Sequence, residues 1–402
     1  MVSSNARDGL AWDDKGIDLK PVWTREPSLD AITKIYLVRT SQQQFIIRVS
    51  PPVCPRTKTR GEITTLRLLR RVTTVPVPEV VAFDDSADNE IGFEWILMEH
   101  MPGFSAYNQW RTLTMSQKVA LVRQVAEFQA QIFRHEFSEI GTLILGKGES
   151  SQEERPGEVI SNMFFWDSHF DYDITRGPFR SSHDWLAAYL EFIVQDQLAA
   201  LGEAEDEEDE EDIKFALVLA RRLINLLPKI FPSAERLSES TVIWHDDFSL
   251  SNILVDDEGK IEAIIDWECV SAMPQWSATQ MPRFLEPTRE NEPKRQDYAD
   301  EAPEDNEDTN LDNEGKNQLY WIHLMEYEQT QLRKVYHERM CQLQPGWDAT
   351  AKESILKEDF FDAVNVIRDG FFLKRSAQWI DAVERGEFPR LMDIWEEGSR
   401  LQ

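Results

Sequence analysis

The sequence predicts an α+β protein of two lobes: a small sheet-rich lobe over residues 31–103 and a large, mainly helical lobe over residues 104–402, after an N-terminal extension of residues 1–30. Three observations carry this. Short β-branched runs crowd the first hundred residues, long stretches of helical period follow Gly103, and one hairpin-like segment, "VIWHDDFSLSNILVDDEGKIEAIIDWECV" (Val242 to Val270), is set into the helical part. With 402 residues, 41% of them hydrophobic, including 13 Trp and 21 Phe, the chain can build one large core or two smaller ones sharing a cleft.

In the small lobe, "KIYLVRT" (Lys34 to Thr40) and "QFIIRVS" (Gln44 to Ser50) flank a polar turn and read as a hairpin. In "TRGEITTLRLLRR", Thr59 can cap a helix with Glu62 three residues on, and Ile63, Leu66 and Leu69 follow at helical spacing, so a helix is expected from about Arg60 to Val72. Pro76 and Pro78 break it; "VPVPEVVAFDD" continues as a strand, and "GFEWILMEHMPG" supplies another that stops at Pro102 and Gly103. In the large lobe, Thr114 or Ser116 can cap a helix striped by Val119, Val122, Val125, Ala126 and Phe133. Further helices are expected at "HDWLAAYLEFIVQDQLAAL", "IKFALVLARRLINLLPKIF", "QLYWIHLMEYEQTQLRKVYHERM", "EDFFDAVNVIRDGFFL" and "SAQWIDAVERG". The hairpin turns at Asp256-Asp257-Glu258-Gly259.

The net charge of -30 argues against nucleic acid as a partner, since such binding draws on basic patches. The charge is uneven. Glu205 to Asp212 carries eight acids, and Glu286 to Glu314 carries twelve acids against three bases, so acidic, solvated insertions are expected near 203–212 and 286–316. No apolar run reaches the roughly 18 to 20 residues of a membrane helix, and the acidic start is unlike a targeting peptide, so the expected compartment is the cytoplasm. Cys54, Cys269 and Cys341 are few and far apart, which fits reduced thiols.

The segment around His245 carries the chemistry. Asp247, with Asn252 five positions on and Asp266 across a hairpin, matches the needs of phosphoryl transfer: a carboxylate to orient and deprotonate a hydroxyl, and two oxygen donors for Mg2+. A four-residue loop lets Asp247 and Asn252 point into one cleft, and the hairpin returns Asp266 towards them. Mg2+ takes hard oxygens and keeps phosphate and water for the rest of its shell, so one carboxylate and one amide suffice. His245 reads as a brace for the loop or as part of its chemistry.

These residues resemble the aminoglycoside phosphotransferase and choline kinase group of the protein kinase-like fold, whose usual form is H-G-D-x-x-x-x-N followed by I-D-[WF]-[ED]; here the chain reads H-D-D-F-S-L-S-N and I-D-W-E. "TRGEITTLRLLRR", "VPVPEVVAFDD", "IGFEWILMEHMPG" and "VAEFQAQIF" extend the resemblance to fungal aminoglycoside-phosphotransferase-domain proteins, over about Lys34 to Pro287. The resemblance implies ATP and Mg2+ as cofactors and a small-molecule hydroxyl as acceptor. It implies Asp247 as base, Asn252 and Asp266 as metal ligands, Met98, Glu99, His100 and Met101 as the adenine-contacting connector, Arg48 as the phosphate-contacting cation and Glu62 as its ion-pair partner.

The chain also departs from that pattern. Many relatives carry Lys where Arg48 stands, Glu62 reads equally as the third residue of a capping box with Thr59, and Asp246 replaces the usual Gly or Asn beside the base. No glycine lies between Gly16 and Gly61, and "KPVWTREPSLDAIT" shows no apolar alternation, so the first strand and the phosphate loop are expected to be missing. A catalytically impaired binding module is therefore the alternative to an enzyme. A protein kinase fits less well, with "DWE" where "DFG" would stand and no A-P-E-type segment after it.

Overall fold

The computed structural model describes residues 18–21, 34–50, 54–145, 153–165, 167–204, 206–232, 239–298, 318–370 and 372–399. The small lobe is a five-stranded antiparallel sheet. Its strands are β1 (Asp18–Pro21), β2 (Lys34–Arg39), β3 (Gln44–Ser50), β4 (Val80–Asp84) and β5 (Glu94–Glu99), in the order β1-β2-β3-β5-β4. The expected hairpin is present, with Lys34 opposite Val49 and Arg39 opposite Gln44.

A first strand is also present, contrary to expectation. Asp18–Pro21 pairs antiparallel with Tyr36–Arg39, so the sheet reaches into the stretch read as an extension. A four-residue edge strand bonds through its backbone along one side only, so "DLKP" needs no apolar alternation, and Pro21 is tolerated at its end. The phosphate loop expected to be missing falls on residues 22–33, which lie outside the described residues.

Helix α1 (Thr57–Val72) starts two residues before Thr59, so Thr59 is not its cap and the box with Glu62 does not form. Its start is held instead by Glu94 of β5, whose carboxylate accepts from the Arg56 N–H at 2.6 Å and the Thr59 hydroxyl at 2.5 Å. Thr59 and Glu62 are both buried, which turns them away from the solvated role of a capping box.

The connector runs from β5 through Gly103 into β6 (Phe104–Ser105) and the short α2 (Ala106–Gln109). Gly103 has φ 101, and a Cβ there would lie 2.8 Å from the Val255 carbonyl oxygen, so the crossing between lobes requires glycine. Helix α3 (Met115–Ile132) follows, with Thr114 as N-cap and Gln117 closing the capping box.

Beyond it the large lobe contains more sheet than expected. Strands β7 (Glu136–Phe137), β8 (Gly141–Leu145), β9 (Glu154–Pro156), β10 (Thr241–Trp244) and β13 (Ser271–Pro274) form a second five-stranded sheet, β7-β10-β13-β8-β9. The hairpin of β11 (Ile253–Val255) and β12 (Ile261–Ile264) pairs with β6 through Val255 and Phe104.

Around these sheets lie α4 (Asn162–Phe165), α5 (Ser182–Glu203), α6 (Glu207–Ile230), α7 (Gln275–Ala278), α8 (Gln318–Leu343), α9 (Trp347–Asp369), α10 (Leu373–Glu384) and α11 (Leu391–Ser399). One core packs α5, α6, α9 and α10 around Phe192, Leu223, Phe360 and Trp379. A second joins α1, α3 and α8 to the inserted hairpin through Leu69, Val125, Ile264, Trp267 and Tyr336. Over its described residues, 206–212, the first acidic run is a helix start and not a loop: Asp206 caps α6, and Glu207 to Glu210 form its first turn, where the helix dipole favours negative charge. Of the second acidic segment, 286–298 is described and 299–317 is not.

Candidate active site

The site is built where β10 ends. Thr241 to Trp244 are fully buried between β13 and β7, so the chain leaves the sheet at His245 in a fixed direction. His245 is itself buried. Its Nε2 lies 3.1 Å from the Ile265 carbonyl oxygen, and its ring stacks on Phe248 at 5.6 Å and tilts against Trp267 at 4.8 Å. These contacts join the loop to the far strand of the hairpin, which gives His245 a bracing position; its Nδ1 is buried without a hydrogen-bond partner among the described residues.

Asp247 and Asn252 meet as the spacing suggested. The Asn252 side-chain amide donates to the Asp247 carbonyl at 2.9 Å and to its carboxylate Oδ2 at 3.0 Å. The turn is closed by Ser249 N–H to Asp247 O at 2.8 Å and Asn252 N–H to Ser249 O at 3.1 Å. The Asn252 carbonyl then accepts from Ile265 N–H at 2.9 Å, which places Asp266 beside it. Asp246 is exposed, and its Oδ1 accepts the Asp247 N–H at 3.0 Å.

Asp266 has φ 66, a left-handed conformation that costs a non-glycine residue roughly 1 to 3 kcal/mol. Asp tolerates it better than most residues, and the buried Trp267, whose Nε1 donates to Ile264 O at 2.9 Å, fixes the turn. The strained residue is the one whose carboxylate faces the small lobe.

Across the cleft, β3 presents Arg48 and α1 presents Lys58 and Glu62, all three buried. Arg48 donates to Glu62 at 2.9 Å and to Asp266 at 3.0 Å, and its guanidinium also pairs with Glu268. Lys58 pairs with the same Glu268 oxygen at 2.7 Å. Burial pulls the Arg48 pKa down, but Glu62, Glu268 and Asp266 together outweigh it and hold the guanidinium charged well above its ordinary value. The capping-box reading of Glu62 gives way to the ion pair with Arg48.

The connector residues divide. Met98 is buried against Ile63 and Ile96 in the small-lobe core, while Glu99 turns towards the β4 side, accepting from Glu79 N–H at 3.3 Å. His100 and Met101 are half-buried at the crossing.

Sequence reasoning missed three charged members of the site. Lys58 lies one helical turn before Glu62 and so on the same face of α1, a spacing that could have revealed it. Glu268 is the last residue of I-D-W-E, quoted for the motif but given no task. Arg283, whose Nη1 lies 2.8 Å from Asp247 Oδ1, comes from a stretch seventeen residues past Asp266 with no local signal.

The oxygen donors suit Mg2+. Asn252 spends its amide nitrogen on Asp247, which leaves its Oδ1 for a metal, and Asp266 uses Oδ1 on Arg48 with its side chain 39% exposed. Among the described residues no group of three or more His, Cys, Asp or Glu could hold a metal, so such an ion would complete its shell with phosphate and water.

With this geometry in view, the comparisons with known proteins place the chain. Residues 23–277 match the model of the APH phosphotransferase enzyme family, and the chain belongs to that family. Its described elements form an α+β architecture of two lobes, the smaller sheet-rich and the larger mainly helical. A subtelomeric hrmA-associated cluster protein of Aspergillus fumigatus is 28% identical over 296 residues, covering 62% of this chain and 58% of the relative. The chain thus spans under two thirds of that relative's length. Clavilactone A biosynthesis cluster protein Y of Ampulloclitocybe clavipes is 24% identical, with 73% and 71% covered. Among solved structures, a thermostable mutant of aminoglycoside phosphotransferase APH(4)-Ia in its apo form is 15% identical with a TM-score of 0.44, covering 95% of each chain. Among the described residues, no helix is long and apolar enough to cross a membrane.

Proposed function

We propose that this member of the family is an ATP-dependent phosphotransferase that moves the γ-phosphoryl group to a hydroxyl of a small molecule. The observation that carries the reading is the contact of Asn252 with Asp247, with Asp266 held beside them by Arg48. In the proposed reaction the acceptor oxygen attacks the γ-phosphorus in line as the bond to the β,γ-bridging oxygen breaks, and the hydroxyl proton passes to the Asp247 carboxylate. Asn252 fixes that carboxylate and, with Asp266, would hold Mg2+; the ion supplies positive charge to the phosphate oxygens. Arg48 aligns Asp266 and faces the phosphates from the small lobe, and Met98 to Met101 line the adenine side. His245 acts as a positioning residue through Ile265.

Calorimetric titration of the chain with ATP, with and without Mg2+, tests this reading. Mg2+-dependent binding that is lost in Asp266→Ala supports it; binding that ignores both the ion and the mutation would sink it.

A second reading is supported by the absence of glycine between Gly16 and Gly61 and by the full commitment of Arg48 to three carboxylates. On that reading the chain is a catalytically impaired binding module that keeps the site's shape, and the same titration would show no nucleotide bound.

A further inference from the structure

We propose that Arg283 is a catalytic residue that holds the transferring phosphoryl group, resting on Asp247 until substrate arrives; this rests on the phosphotransferase reading above. Three observations lead to it.

The first is the shortage of available cations. The catalytic stretch from Val242 to Ile253 contains no Lys or Arg. Arg48 and Lys58, on the small-lobe side, are buried and committed to Glu62, Asp266 and Glu268. Two cations against those three carboxylates, with Asp246 and Asp247 added on the loop, leave the side chains themselves, apart from any bound Mg2+, short of positive charge on the acceptor side where a phosphoryl group must pass. Arg283 is the cation paired with Asp247 among the described residues.

The second is the rigidity of its support. A floppy surface arginine would contribute little, but Arg283 begins a 3-10 turn, Arg283–Leu285, that is built onto the catalytic loop. Phe284 N–H donates to the Phe248 carbonyl, one residue past Asp247, at 3.2 Å, and the two rings pack edge to face. Phe284 and Leu285 are buried, and Arg333 of α8 donates to the Leu285 carbonyl at 2.7 Å and the Glu286 carbonyl at 2.9 Å. The backbone that carries Arg283 is therefore fixed relative to Asp247 while its side chain stays 60% exposed and able to move.

The third is reach. An acceptor hydroxyl that gives its proton to Asp247 sits within roughly 2.6 to 3.2 Å of that carboxylate, with the phosphorus about 3 to 3.5 Å further on. Arg283 is already one hydrogen bond from the same carboxylate. A guanidinium has five N–H donors in a planar fork, so Arg283 can turn one edge to the equatorial phosphoryl oxygens and keep the other near Asp247. As the oxygen–phosphorus bond forms and the bond to ADP breaks, negative charge on those oxygens is met by a positioned cation.

A probe that needs no acceptor tests this: the gain in affinity for Mg·ADP when aluminium fluoride is added as a mimic of the phosphoryl group in flight. Arg283→Gln should bind Mg·ADP within about two-fold of wild type yet lose roughly 10- to 100-fold of the fluoride gain, with Arg283→Lys recovering part of it. Thermal unfolding of both variants should match wild type, as expected for an exposed side chain. A fluoride gain unchanged in Arg283→Gln would overturn the proposal and leave the phosphotransferase reading standing. Failure of wild type to bind Mg·ADP, or a wild type that gains nothing from fluoride, would remove the reading and the proposal together.

Discussion

Arg48 on β3 and Asp266 beyond β12 join the two lobes through a 3.0 Å bond between Nη2 and Oδ1, although 218 residues separate them in the chain. The bond gives Asp266 a fixed orientation despite its left-handed backbone. The small lobe thus has a part in placing a metal-ligand candidate that belongs to the large one.

Breaking that link should be costly in an asymmetric way. Arg48→Met leaves Glu62, Asp266 and Glu268 facing one another with Lys58 alone to balance them, and loss of one partner from a buried ionic cluster costs about 3 to 5 kcal/mol. Glu62→Gln keeps the shape and leaves Arg48 paired with Asp266 and Glu268, so it should cost clearly less. Urea unfolding of both variants checks the order; equal losses would mean that the cluster does not act as a unit.

Asp247→Asn is expected to retain Mg2+-dependent ATP binding but to lower phosphoryl transfer by about 10²- to 10⁴-fold, since the amide oxygen can keep the bond from Asn252 while the base, and its second acceptor oxygen towards Arg283, are lost. Single-turnover release of labelled ADP with an accepted substrate measures it. A variant with wild-type turnover would contradict the assignment of the base.

How much of this could be read in the sequence depended on the range of the interaction. Asp247, Asn252 and Asp266 were legible because their geometry follows from a four-residue loop and one hairpin. The Thr114 and Gln117 cap was half legible, since it is local but Ser116 competed for it. The second sheet was not legible: β7 and β8 must pair with strands more than a hundred residues away, and two- to five-residue strands carry almost no period of their own. β1 escaped for the same reason, being short and at an edge. The acidic start of α6 misled because the charge pattern of a solvated loop is also one that a helix N-terminus favours. Arg283 reaches Asp247 only through the packing of Phe284 on Phe248, which no spacing rule encodes.

Stability should fall as pH rises from about 5 to 8 through two acids on α9. Burial pushes the Glu358 carboxyl up to about 7 and that of Asp362 up to about 6, against the opposing pull of Arg390. A carboxyl with a raised folded-state pKa stabilises the fold at low pH, below its unfolded value, and that contribution is lost as pH climbs through the folded value. Thermal melts in matched buffers should show the decline, and Glu358→Gln should flatten it by an amount of order 1 to 2 kcal/mol. A variant with the wild-type slope would show that Glu358 titrates as an ordinary surface acid.

The joint between α1 and the large lobe offers a test by volume alone. A Cβ on Gly61 would lie 2.5 Å from Thr142 Cγ2 on β8, and Thr142 is itself tied to Ser271 at 2.8 Å and to the Ile160 N–H at 3.0 Å, so it cannot easily step aside. Gly61→Ala would gain helix propensity of about 1 kcal/mol in an unobstructed helix. Here the overpacking, typically 1 to 3 kcal/mol, should win and lower stability. Because Lys58 and Glu62 flank Gly61 on α1, pushing the helix away from β8 should also loosen their pairing with Glu268 and Arg48 and weaken ATP binding. Gly61→Ala in a Thr142→Ser background removes the clashing methyl and should restore both stability and affinity. If the double variant stays as weak as the single one, the contact with Thr142 is not what sets the position of α1.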